Sequence, residues 1–85
     1  MMKNKVLTEI YIPQLDESYD IYLPLNKNIA NVIELICKSL TELKRVSKIN
    51  FNNYSIYNRE TGYKYLPNKI IKETDIRNGF RLILM

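Results

Sequence analysis

The sequence contains no histidine. That removes the usual general base near neutral pH and the commonest imidazole metal ligand. Cysteine occurs once, at Cys37. No intramolecular disulfide can form, and a single thiolate holds neither an iron–sulfur cluster nor a CxxC redox site. Gly62 and Gly79 are the only glycines, which excludes a glycine-rich phosphate loop. No apolar run approaches the ~18 residues of a membrane-spanning helix. Nor is there a secretion signal, because Thr8, Glu9 and Tyr11 interrupt the apolar stretch after the basic first residues. These absences lead to the expectation of a cytoplasmic, non-enzymatic chain with no cofactor and no metal.

What is present is 85 residues with a formal net charge of +4. The length suits one domain, spanning 1–85, with a modest core. Charge is unevenly divided. Residues 1–42 hold four lysines against six carboxylates, and residues 43–85 hold nine basic residues against three acidic ones. A basic second half attracts acidic partners or simply keeps the surface solvated.

Alternation predicts a strand over Lys5–Ile12, with Val6, Thr8, Ile10 and Ile12 on one face and Leu7, Glu9 and Tyr11 on the other. A turn over 13–17 leads into a second strand, Tyr19–Leu23, closed by Pro24. The short connection implies an antiparallel hairpin. The period then changes. Ile29, Val32, Ile33, Ile36, Leu40 and Leu43 recur at helical spacing, with Asn28 placed to cap the run and the helix ending between Glu42 and Ser47. Ile49 and Phe51 are candidate anchors in an Asn-rich loop. Tyr54–Asn58 and Tyr63–Leu66 read as strands around a turn at Gly62, and Ile70 and Ile71 anchor a loop or single helical turn. Asp75 is placed to cap the Asn78-Gly79 turn, and Phe80–Met85 is a nearly continuous apolar strand suited to the sheet interior. The order is β-β-α-β-β-β. One helix with one apolar stripe must cover one sheet face. With the last strand central and parallel to the first, this is an α+β, β-grasp arrangement: a mixed sheet packed on one helix.

The chemistry-bearing residues are sparse. Asp16, Glu17 and Asp20 cluster near the first turn, but their spacing matches no calcium loop. Cys37 falls in the helical pattern as a small packing residue. Nucleic-acid binding is an alternative by composition, through Arg59, Lys64, Lys69, Lys72, Arg77 and Arg81 interleaved with Tyr57, Tyr63 and Tyr65. No recognised nucleic-acid module motif accompanies them. Seven tyrosines among nine aromatic residues point instead to protein contact, since tyrosine has one apolar end and one wet end. The candidate interaction surface is Leu7, Tyr11, Tyr22, Tyr57 and Tyr63, with ordinary amphipathic strand cover as the competing reading.

Tyr19-Asp20-Ile21-Tyr22-Leu23-Pro24 followed by Asn28-Ile29-Ala30-Asn31-Val32-Ile33 resembles the second strand and capped helix start of ubiquitin. Within that superfamily the chain, over about residues 5 to 84, is similar to the small YukD/EsaB-type proteins of Gram-positive type VII (Esx/WXG) secretion systems. The closing stretch Asp75-Ile76-Arg77-Asn78-Gly79-Phe80-Arg81-Leu82-Ile83-Leu84 carries part of this likeness. The resemblance implies a ubiquitin-like accessory or regulatory protein that contacts secretion components and reaches the membrane only through a partner. It brings no catalytic residues. Leu82-Ile83-Leu84-Met85 lacks a diglycine tail, so conjugation and sulfur transfer are not expected. A generic β-grasp interaction module in another pathway is the alternative. The isolated chain is expected to be a monomer, or a weak dimer formed through an exposed strand edge.

Overall fold

The computed structural model describes residues 4–44 and 53–85. Strand β1, Lys5–Ile12, and strand β2, Glu17–Pro24, form an antiparallel hairpin in which Lys5 faces Pro24 and Ile12 faces Glu17. The four-residue connection closes with Leu15 N donating to Ile12 O and Asp16 N donating to Pro13 O. Asp16 takes a positive φ of 51°, a conformation that aspartate tolerates better than most residues.

Helix α1, Ile29–Lys44, begins where the sequence places it. Asn28 Oδ1 accepts from Asn31 N at 2.8 Å, the expected N-cap bond. Two further end-of-helix donors find partners in the chain itself: Ile29 N donates to Lys69 O and Ala30 N to Pro67 O. Ile29, Val32, Ile33, Ile36, Cys37 and Leu40 are buried, while Ala30, Asn31, Glu34 and Lys38 are exposed. The side chain of Leu43, together with Ile49 and Phe51, lies outside the described residues.

Strand β3 is short, Ile56–Asn58, and pairs antiparallel with β4, Phe80–Leu84. Strand β4 runs parallel to β1, with Ile10 opposite Leu82. The sheet order is β2-β1-β4-β3. The last strand is therefore interior and β2 is an edge, as the apolar patterns require. One face of every strand packs under α1. Val6, Ile10, Ile12, Leu23, Ile56, Leu82 and Leu84 join the buried helical residues and Tyr65, Ile71 and Ile76 in one core. Thr8 is also buried on this face, and its hydroxyl donates to Ile21 O at 3.0 Å. This is the mixed-sheet, one-helix β-grasp layout.

Two expectations change. The strand over 63–66 shrinks to a single bridge between Tyr57 and Lys64. Asn58 N donates to Tyr63 O and Tyr65 N to Ile56 O on either side of it. The chain then leaves the ladder because the carbonyls of Pro67 and Lys69 serve the start of α1. Asp75 does not cap the Asn78-Gly79 turn. Its carboxylate accepts from Tyr65 Oη at 2.7 Å, while Asn78 Oδ1 accepts from Leu7 N at 2.8 Å and so ties that turn to β1. Ile71 sits in a short 3-10 turn, Ile71–Glu73, and is fully buried.

Candidate protein-interaction face

The sheet face opposite α1 carries no second layer among the described residues. Strand register arranges its side chains in three rows. Tyr22 stands beside Leu7. Next come Asp20 on β2, Glu9 on β1 and Arg81 on β4. Arg59 extends that row, since its N–H donates to Arg81 O at 2.9 Å. The third row is Ser18, Tyr11, Ile83 and Tyr57, in that order across all four strands. Four of the five residues singled out from the sequence, Leu7, Tyr11, Tyr22 and Tyr57, thus share one face.

Tyr63 does not join them. It is 55% exposed, and its ring turns to that of the buried Tyr65 instead of joining the outer rows. The two rings meet edge to face with centroids 5.0 Å apart. Ile83, half-buried between Tyr11 and Tyr57, takes the remaining place on the outer face. The near-continuous apolar run of β4 concealed it, because such a run signals burial on both faces.

Local bonds fix the side chains. Tyr11 Oη donates to Asp16 Oδ1 at 2.9 Å. This bond, more than burial, raises the Tyr11 phenol above its ordinary pKa, and nearby Arg59 opposes the rise. The Arg59 guanidinium lies 5.1 Å from the Tyr11 ring centroid, within cation–π range. Arg81 Nε is 3.5 Å from Glu9 Oε1. Asn58 organises the turn that carries Arg59: its Oδ1 accepts from Glu60 N and Thr61 N, and Gly62, at φ 78°, donates to Asn58 O.

The remaining groups are structural in placement. Burial pushes the Cys37 thiol up to about 11, which suppresses the reactive thiolate. Burial, then the bond to Asp75, pushes the Tyr65 phenol up to about 12. Among the described residues no three His, Cys, Asp or Glu side chains converge as a metal site. No helix of the described residues is long and apolar enough to cross a membrane. The three tyrosines that the sequence interleaves with basic residues are not brought together: Tyr65 is buried, Tyr63 stands against it, and Tyr57 lies on the opposite face.

No protein-family model matches the chain, and no curated protein matches it. Solved structures do. A structure from work on molecular mimicry of SUMO in DNA repair superposes with a TM-score of 0.77 at 10% identity, covering 100% of this chain and 95% of that one. The EccD5 ubiquitin-like domain from Mycobacterium xenopi gives 0.67 at 18% identity, covering 95% and 92%. A chain of the ESX-5 inner membrane complex gives 0.69 at 14% identity; 96% of this chain matches 21% of that much longer one. At these identities the likeness is one of fold. The chain has the ubiquitin-like β-grasp fold.

Proposed function

We propose that the protein is a non-enzymatic, ubiquitin-like accessory or regulatory protein of a type VII secretion system, acting in the cytoplasm by non-covalent contact with a component of that machinery. The observation that carries the contact is the outer sheet face, uncovered among the described residues, where Tyr22, Leu7, Tyr11, Ile83 and Tyr57 offer apolar and aromatic surface among charges. Such amphipathic aromatics are what protein interfaces enrich. The choice of machinery is supported by the resemblance of the Asp75–Leu84 stretch to YukD/EsaB-type proteins of Gram-positive bacteria, and by the fold shared with EccD5.

Affinity capture from native extract of the source cells tests both parts. Recovery of type VII components by the wild-type chain, and their loss with Tyr57→Ala, is the expected result. Recovery of unrelated proteins alone overturns the secretion reading in favour of a generic interaction module. Unchanged recovery with Tyr57→Ala and Tyr22→Ala moves the contact off this face.

A further inference from the structure

The middle row of the outer face has an unusual order of charge. Reading from β2 to β3 it runs Asp20, Glu9, Arg81, Arg59: two acids, then two bases. Glu9 and Asp20 are directly opposed cross-strand partners, and like charges so placed repel. Arg81 and Arg59 repeat the problem with the opposite sign. The contact between Glu9 and Arg81 at the centre relieves only the inner two groups. Asp20 and Arg59 start from opposite ends of the row, both exposed and neither paired with an opposite charge in the row, although the Arg59 guanidinium also leans in to 5.1 Å from the Tyr11 ring centroid.

A second copy of the same face supplies what each end lacks. Rotation by a twofold axis parallel to the strands lays β2 of one protomer over β3 of the other. Asp20 then meets the partner copy's arginine at position 59, and Arg59 meets the partner copy's aspartate at position 20. The aromatic row of Tyr11, Ile83 and Tyr57 is brought against its own copy in the same operation. An isologous contact of this kind satisfies both ends at once.

We propose that this face mediates a reversible, face-to-face homodimer held in register by two symmetric Asp20–Arg59 pairs. The proposal rests on the reading of this face as a protein-interaction surface and names one occupant for it. Four strands at ~4.8 Å spacing and three rows of side chains cover on the order of 400 Å² per protomer, about half of the ~800 Å² per partner of a standard interface. The dimer is therefore weak, and it dissociates further as salt screens its exposed charges.

Sedimentation equilibrium on the full chain, from micromolar to millimolar concentration, tests it with two charge reversals. Wild type is expected to show a monomer–dimer equilibrium. Arg59→Glu alone and Asp20→Arg alone are each expected to weaken dimerisation by about tenfold, since both symmetric contacts become repulsive. An equimolar mixture of the two variants is expected to recover association as a mixed dimer, because each contact is again between opposite charges. Both positions are exposed, and circular dichroism checks that each variant keeps its fold. A wild-type chain that stays monomeric at millimolar concentration, single variants that dimerise like wild type, or a mixture that does not associate each overturns the proposal. Loss of the homodimer with retained, Tyr57-dependent capture of secretion components overturns only the choice of occupant. Absence of both overturns the reading of the face itself.

Discussion

Strand β1 has two faces of similar residue type and opposite fate. Val6, Thr8, Ile10 and Ile12 are between 0% and 6% exposed. Leu7, Glu9 and Tyr11, their immediate neighbours, are only half-buried. The difference is the presence of α1 on one side and, among the described residues, no covering layer on the other. Alternation sorts the residues, but the helix decides which set becomes core. The contrast separates residues that hold the fold from residues that are free to serve contact.

The largest effect should come from the covered side. Ile36 is 3% exposed beneath the sheet, and Ile36→Ala should cost ~2–5 kcal/mol in urea unfolding. That is enough to unfold much of a domain this small. Near-normal stability would show that the helix face is misassigned.

Next is the polar link at the edge of the core. Tyr65→Phe removes the 2.7 Å donor to Asp75 and should cost ~1.5–3 kcal/mol, as for hydrogen bonds to charged groups. The same residue sets a pH dependence. Its phenol is pushed up to about 12 in the fold from an ordinary value of 10.0. The unfolded chain therefore ionises first. The associated stability is complete below pH 10 and is lost as pH rises toward 12. Cys37, raised from 9.0 to about 11, acts with the same sign in the window just below. Thermal melts across this range should show falling stability, less steeply in Tyr65→Phe. A thiol reagent near neutral pH should label Cys37 only as fast as the core opens, and rapid labelling of the folded chain would contradict its burial.

A smaller loss is expected at the helix start. Asn28→Ala should cost about 1 kcal/mol by removing the bond to Asn31 N, measurable as a shift in the unfolding midpoint. The smallest change in stability should come from the uncovered face. Tyr57→Ala should stay within about 0.5–1 kcal/mol of wild type while weakening partner capture. A large destabilisation there would mean that this face, too, holds the fold together.

Much of this contrast is legible in the residues themselves. The Lys5–Ile12 alternation, the Ile29–Leu40 stripe and Asn28 each follow from short-range periodicity or local bonding, which act over a few residues. Ile83 is harder to read, because an apolar run does not say which side of a strand lacks cover. Tyr63 is harder still. Its exposure is visible in its type, but its face depends on how the Gly62 turn delivers the chain beside β3. The link from Tyr65 to Asp75 spans ten residues and an irregular segment. No periodicity reports such a pair.

The sequence by itself determined the lack of histidine, the single cysteine, the first hairpin and the helix after it, the interior place of the last strand, and which residues alternate. These depend on residue identity and on the fixed periods of 2 and 3.6. Only the tertiary structure decided that the stretch over 63–66 is reduced to a single bridge, that Pro67 and Lys69 serve the helix start instead of a fifth strand, and that Asp20, Glu9, Arg81 and Arg59 stand in one row. Those outcomes bring together residues as far apart along the chain as Glu9 and Arg81. They are fixed by the one sheet register that buries every apolar set beneath a single helix.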